Sequence, residues 1–148
     1  MGKKTFLTRH FTLEEMTRTS VKGVENKPTE EQTENLRRVC RWLEQLRDEW
    51  NLRYGEGDDP VRVTSGFRSP RVNQAVGGVP TSNHLRGCAA DIRVTGLEQL
   101  LRYAVILLDI SDESREPFDE LLLERNGQAL WLHFAVRPEG NRERVRLT

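Results

Sequence analysis

The sequence predicts an α+β fold in which N-terminal helices pack on a mainly antiparallel sheet. Segments with helical apolar spacing come first, and segments that alternate like strands concentrate in the second half of the chain. An Asn-Gly pair at residues 126–127 lies between two apolar segments, which is a strong signal for a β-hairpin. At 148 residues and without an internal repeat, the chain is expected to form a single domain over residues 1–148.

Two capping boxes mark the first helices. Residues 12–15 (TLEE) open a short helix to about residue 19, and residues 29–32 (TEEQ) open a long one that ends before Gly55. A short helix is predicted at about 71–76, and an amphipathic helix follows Gly96. The long helix has one buried stripe at three- and four-residue spacing, made of Leu36, Val39, Cys40, Leu43, Leu46 and Trp50.

Four strands are predicted, at residues 61–65, 88–94, 118–124 and 129–136. In the second of them Ala90 and Ile92 form an apolar face, so Asp91 points to the opposite, accessible side. A tight turn at residues 126–127 would place Glu120 opposite His133 in the hairpin, with both side chains on one face.

Charge and composition exclude several classes of partner. Lysine plus arginine total 23 and aspartate plus glutamate total 23, so a net charge of zero gives no footprint for nucleic acid. No apolar run approaches the roughly 18 residues that span a bilayer, so no membrane partner is expected. The arginines near the C-terminus alternate with glutamates and are interpreted as a solvated edge, and Cys40 and Cys88 as buried apolar residues. We expect a monomer.

The basic segment 1–7 lacks the apolar core of a secretory signal. We therefore expect synthesis in the cytoplasm.

Two of the three histidines lie in segments that suggest a metal site. His84 and Asp91 are seven residues apart, and His133 follows in the hairpin. Two imidazoles, one carboxylate and an open fourth position are the ligand set of a catalytic zinc ion. Each residue alone is more often structural or solvated, as expected for His10, so the prediction depends on the combination.

Hydrolysis at such a site requires further groups. A carboxylate must take a proton from water, and Glu124 and Glu120 are the candidates. Arg68 lies in a glycine-broken turn after a strand, where a guanidinium could hold a substrate carboxylate through two hydrogen bonds.

The combined motifs resemble the M15 family of zinc D,D-carboxypeptidases and endopeptidases. The resemblance rests on SxHxxGxAxD at residues 82–91, WxH at 131–133 and TSGFRSP at 64–70 with the asparagine and glycines that follow. It extends to HFTLEEM at residues 10–16 and covers about residues 10–136, closest to a compact single-domain branch of bacterial and phage proteins.

The resemblance implies a zinc enzyme that acts on the peptide stem of the bacterial cell wall. His84, Asp91 and His133 would bind Zn²⁺, and Arg68 would hold a substrate carboxylate or polarise the scissile carbonyl. Ser82 and Asn73 would contact the substrate or support the site.

The chain departs from several family members in one respect. They carry the catalytic acid three residues before the last histidine, where this chain has Leu130. The base must then come from the preceding strand, where the resemblance favours Glu124 and the predicted pairing favours Glu120.

Three functions follow from these expectations. The leading one is a zinc metallopeptidase of the D-Ala-D-Ala carboxypeptidase or the L-Ala-D-Glu endopeptidase type. The alternative is a catalytically silent zinc-binding module for cell wall or protein recognition, as in the related hedgehog signalling domain. The third is a globular domain without metal. A phage or prophage origin would account for action outside the producing cell, and phage lysis, wall remodelling and tail-associated penetration are the alternative biological roles.

Overall fold

The computed structural model describes residues 3–148. Within that range, the helices are α1 Leu13–Met16, α2 Glu30–Arg53, α3 Pro70–Ala75 and α4 Leu97–Ser114, with a 3₁₀ turn at Asn83–Arg86. The strands are β1 Val63–Ser65, β2 Ala89–Arg93, β3 Glu120–Asn126, β4 Ala129–Ala135 and β5 Arg144–Leu147. Both predicted capping threonines, Thr12 and Thr29, accept backbone hydrogen bonds at the starts of α1 and α2.

The strands form one mixed sheet in the order β1-β2-β4-β3-β5. The pairs β1–β2, β2–β4 and β4–β3 are antiparallel, and only the edge strand β5 runs parallel, alongside β3. The predicted α+β class with a mainly antiparallel sheet is confirmed.

Helices α2 and α4 cover one face of the sheet, and the hydrophobic core lies between these helices and the sheet. Trp42 of α2 packs against Phe134 of β4 with ring centroids 5.2 Å apart. Ala90 and Ile92 belong to this core, as their alternation with Asp91 predicted. Cys40 and Cys88 are buried free thiols, which confirms their interpretation as apolar residues. The opposite face of the sheet is left for polar side chains.

The register of the β3–β4 hairpin differs from the prediction by two residues. His133 lies opposite Leu122, and Glu120 lies opposite Ala135. The two turn residues are Gly127 and Gln128, and only Gly127 has a positive φ, of 64°. A two-residue turn whose first residue has a positive φ favours glycine at that first position, which accounts for the shift. A shift of two residues preserves the side-chain alternation, so Glu120, Glu124 and His133 still share one face.

The arginine-rich C-terminus is a largely exposed edge of the sheet, as the sequence suggests, but part of it also lines the polar face. Residues 144–147 form β5, and Arg137, Arg142 and Arg144 line a cleft on the polar face of the sheet. The arginines at residues 142, 144 and 146 recur at every second position, as in a β-strand, and an interpretation from charge alone does not recognise this pattern.

Gly87 closes the 3₁₀ turn against helix α2. Its φ is 74°, and a Cβ atom there would lie 2.5 Å from the Gln32 carbonyl oxygen.

We expect Gly87→Ala to lower the free energy of unfolding by about 2–5 kcal/mol, because the strain of a left-handed backbone and the overpacking against Gln32 add. Gly127→Ala is the control, because its φ is 64° but its Cβ would meet nothing within 4 Å. Urea denaturation of Gly127→Ala should show that the free energy of unfolding falls by only about 1–2 kcal/mol. Equal losses at both sites would contradict this packing.

In the described part of the chain, no helix has both the length and the apolar character needed to cross a membrane. Residues 1 and 2 of the basic segment considered as a targeting signal lie outside the described residues.

Candidate metal centre

A polar cleft of about 530 Å³ lies on the sheet face opposite the helices. Its floor is formed by β2, β4 and β3, and its walls by the 3₁₀ turn and the segments at residues 77–82 and 137–144. The charged or hydrogen-bonding side chains that line it include Arg68, Ser82, Asn83, His84, Asp91, Glu120, Glu124, His133, Arg137, Arg142 and Arg144.

Three potential ligands converge at the floor of the cleft. Asp91 of β2 and His133 of β4 are directly opposite each other in the antiparallel register, and the 3₁₀ turn brings His84 to them. Asp91 Oδ1 lies 3.0 Å from His133 Nδ1 and 3.3 Å from His84 Nε2. One donor atom from each of the three residues lies within 4.8 Å of the others. All three residues are more than 90% buried.

Hydrogen bonds on the far side of each ring select which nitrogen faces the centre. His84 Nδ1 lies 2.6 Å from the Gly66 carbonyl oxygen, which can only accept, so this nitrogen carries the proton. His133 Nε2 lies 3.0 Å from Glu120 Oε1 and donates in the same way. When the rings are neutral, they present the lone pairs of His84 Nε2 and His133 Nδ1 to Asp91.

This donor set fits a metal ion. In the neutral state of both rings, Asp91 Oδ1 lies 3.0 Å from His133 Nδ1 and 3.3 Å from His84 Nε2, and these electron-rich atoms repel one another unless positive charge lies between them. Ligands about 2.0–2.2 Å from a tetrahedral zinc ion are themselves about 3.3–3.6 Å apart, close to these separations. The cleft side of the group is open to a further ligand.

The same arrangement shifts the pKa values of His133 and Asp91. Burial alone lowers the pKa of His133, but hydrogen bonds to Asp91 and Glu120 outweigh burial and raise it to about 9. Burial alone raises the pKa of Asp91, but the two imidazoles hold it well below its ordinary range. The group therefore stabilises positive charge at its centre, which a proton or a metal ion can supply.

Arg68 binds the outer oxygen of the same aspartate. Its Nη2 lies 3.2 Å from Asp91 Oδ2, while Nε and Nη1 donate to Ser65 Oγ and Asn73 Oδ1 at 3.2 and 3.3 Å. Asn73 also donates to the Val79 carbonyl oxygen, so both polar atoms of its side chain are used within the protein. The substrate contact predicted for Asn73 stays a prediction, while Arg68 lines the cleft as expected.

Ser82 and Asn83 lie at the start of the 3₁₀ turn that carries His84. Ser82 Oγ accepts from the His84 backbone nitrogen at 3.2 Å, and this serine lines the cleft. Asn83 donates to Glu120 Oε1 and to Asp119 Oδ2, both at 2.7 Å. The turn is thereby tied to the start of β3.

Asp119 connects this turn to the segment before β5. It is fully buried and accepts from Arg142 Nη2 at 2.7 Å, with Arg137 Nε 3.2 Å away. Burial alone would raise the pKa of Asp119, but hydrogen bonds from Arg142 and Asn83 lower it to about 2. None of Asn83, Asp119 and Arg142 is a site residue predicted from the sequence, although Asn83 adjoins His84 and Asp119 adjoins Glu120.

Asp119→Asn is expected to change how stability depends on pH. Because the folded pKa lies below the ordinary 3.8, the stabilisation is complete above a pH of about 4 and is lost as pH falls towards about 2. In metal-free protein, wild type should exceed the variant by about 2 kcal/mol in free energy of unfolding at neutral pH, and the gap should close towards pH 2. Urea titrations across this range measure it, and a constant gap would contradict the account.

The two candidate bases occupy different environments. Glu120 is bonded to His133 and Asn83, and the hydrogen bond from His133 is the main cause of a lowered pKa. Glu124 lines the cleft, makes no side-chain hydrogen bond within residues 3–148, and has a pKa that burial raises. Glu120 therefore fixes the orientation of the His133 ring, whereas Glu124 has no hydrogen-bond partner among the described residues.

Comparison with known proteins decides the family. The peptidase M15 sequence profile matches residues 9–107, about two thirds of the chain. The chain belongs to the peptidase M15 family. In this M15 chain the matched residues include His84 and Asp91, whereas His133 and β5 lie beyond them, so the fold itself brings the third donor to the centre.

A curated relative supports the same family. The zinc D-Ala-D-Ala carboxypeptidase of Streptomyces albus G is 46% identical to this M15 chain over 41 residues, which are 28% of the chain. The matched segment spans 16% of that relative's length.

Proposed function

We propose that the chain is a zinc-dependent peptidase that hydrolyses a peptide bond in the stem peptide of peptidoglycan. The observation that carries this proposal is the convergence of His84, Asp91 and His133 on the floor of an open cleft, with donor atoms within 4.8 Å of one another. Membership in the peptidase M15 family and the similarity to a zinc D-Ala-D-Ala carboxypeptidase support the metal, the reaction class and the substrate.

In this proposal the metal ligands are His84 Nε2, Asp91 Oδ1 and His133 Nδ1. When bound there, Zn²⁺ would polarise the scissile carbonyl and lower the pKa of a water molecule towards about 7. Gly66 and Glu120 keep the two imidazoles in the ligating tautomer through the outer hydrogen bonds.

Glu124 is the proposed general base and acid. Its carboxylate takes a proton from the attacking water as the oxygen bonds to the carbonyl carbon. It then gives that proton to the amine nitrogen as the carbon–nitrogen bond breaks. A pKa raised by burial suits a group that must both accept and return a proton near neutral pH.

Arg68 has two proposed roles. Its Nη2 orients Asp91 so that Oδ1 faces the centre, and its exposed side can bind a substrate carboxylate or carbonyl oxygen. Ser82 Oγ, which lines the cleft beside His84, is a proposed hydrogen-bonding group for the substrate backbone.

The experiment incubates purified peptidoglycan fragments with the protein, with and without a zinc chelator, and analyses the products by mass spectrometry. We expect a product that the chelator abolishes. Loss of one D-alanine would identify a D-Ala-D-Ala carboxypeptidase, and a break between L-Ala and D-Glu an endopeptidase. Absence of any product from a preparation shown to contain one zinc per chain would contradict the proposal.

A further inference from the structure

Strand β5 brings to the cleft an arginine that the proposed reaction does not use. It pairs in parallel with β3, so Arg144 lies beside Glu120 and Arg146 beside Leu122. Glu120 and Leu122 both line the cleft, and side chains in one sheet row share a face, so the two arginines belong to the cleft side. Arg144 is partly buried and lines the cleft, whereas Arg146 is exposed and does not.

Arg144 differs from the other arginines of the cleft in having no side-chain partner among the described residues. Arg68 is paired with Asp91, and Arg137 and Arg142 with Asp119. Within residues 3–148, no carboxylate oxygen lies within 4.0 Å of the Arg144 guanidinium and no side-chain hydrogen bond holds it. A partly buried guanidinium without a counter-ion is suited to bind an anion from outside the chain.

The sheet fixes how far this cation lies from the proposed metal centre. β5 is two strands away from β4, which carries His133, and neighbouring strands are about 4.8 Å apart. Arg144 is also two residues along the sheet from the row that contains His133, Leu122 and Arg146, so the backbone separation is about 12 Å. An extended peptide advances about 3.3–3.6 Å per residue. An anion at Arg144 is therefore about three residues from a peptide bond held at the centre. Arg68, bonded to Asp91 of β2, lies on the other side of His133.

We infer that Arg144 binds a second carboxylate of the substrate, about three residues from the bond that is cleaved. The inference rests on the proposed function and narrows its substrate class to peptides with a free carboxylate at that point. In a stem pentapeptide the α-carboxylate of the D-glutamate residue, third before the terminal D-alanine bond, meets this requirement. Conversion of that group to a carboxamide removes the charge and leaves the peptide otherwise unchanged.

The test measures the binding of two stem pentapeptides, one with the D-glutamate α-carboxylate and one with its carboxamide, by isothermal titration calorimetry. The protein is the zinc-loaded Glu124→Gln variant, so that the peptide is not consumed during the titration. We expect the carboxylate peptide to bind about 10–100-fold more tightly, as a charge-assisted hydrogen-bond pair allows. Adding Arg144→Gln should reduce that ratio to about one while leaving the carboxamide peptide's affinity and the zinc content unchanged.

Arg146→Gln is the matched control, because Arg146 lies on the same strand face but outside the cleft, and it should retain the full ratio. A purely structural role of Arg144 would weaken both peptides equally, which would overturn the inference. A ratio that survives Arg144→Gln, or binding of neither peptide, would also overturn it.

Wild-type hydrolysis of the same two peptides separates this inference from the proposed function. If the Arg144→Gln variant hydrolyses both peptides and the ratio of their rates equals that of the wild type, the proposed peptidase activity stands and the role of Arg144 is rejected. Binding selectivity that depends on Arg144, without hydrolysis by the wild type, would reject the peptidase and leave the carboxylate site.

Discussion

Replacing His133 with alanine is expected to abolish both zinc retention and hydrolysis. His133 supplies one of three proposed ligands, and it also separates the carboxylates of Asp91 and Glu120 by bonding to each at 3.0 Å. Loss of a residue that merely supports a ligand costs about 10–100-fold in metal affinity, so loss of the ligand itself should cost more. Zinc content after dialysis, measured by plasma mass spectrometry, and turnover of wall fragments give the two readouts.

His10→Ala is the control for that experiment. His10 bonds to Glu44 at 2.6 Å and belongs to none of the cleft-lining segments, so its removal should leave zinc content and turnover unchanged. If the His133 variant keeps one zinc per chain, the proposed ligand set is wrong.

Glu124→Gln is expected to keep the metal and lose about 10²–10⁴-fold in kcat, the usual contribution of a general base. Glu124 lines the cleft without a hydrogen-bond partner in the described chain, so the amide should disturb no ligand. Zinc content and kcat are measured on the same preparations.

Glu120→Gln separates the two candidate bases. The amide oxygen can still accept the His133 Nε2 proton, so this variant should retain most of its activity, with at most a modest loss of zinc affinity. The reverse pattern, a large loss for Glu120→Gln and unchanged turnover for Glu124→Gln, would move the base to Glu120.

Local patterning was enough to predict much of this site. Alternation in β2 placed Ala90 and Ile92 in the core and Asp91 on the other face, as the structure has them. The alternation of side chains along the hairpin placed Glu120, Glu124 and His133 on one face, even though the predicted register was wrong by two residues. Alternation depends only on neighbouring residues, whereas register depends on the turn geometry, and Asn-Gly did not determine which two residues form the turn.

Non-local contacts could not be predicted in this way. Strand β5 pairs in parallel with β3 from residues far along the chain, and no local signal states which strand an arginine-rich segment will join. The network around Asp119 likewise joins residues 83, 137 and 142 that are distant in sequence. These are also the contacts that bring Arg144 to the cleft.

The absence of an acid at position 130 is the sequence feature that favoured a catalytically silent module. In the structure Leu130 packs against the hydrophobic core. Glu124 of the neighbouring strand lies opposite Trp131, and both line the cleft. A carboxylate is thus present on the cleft side despite Leu130, which weakens the argument for a silent module.

Titration of metal-free protein with Zn²⁺ tests whether hydrolysis depends on a single bound zinc ion. Hydrolysis of wall fragments is followed by mass spectrometry after each addition, alongside calorimetric measurement of zinc binding. We expect activity to rise with bound zinc and to saturate at one ion per chain, and we expect the His133→Ala variant to stay inactive throughout. Full activity before any zinc is added, or none at one bound ion per chain, would contradict it.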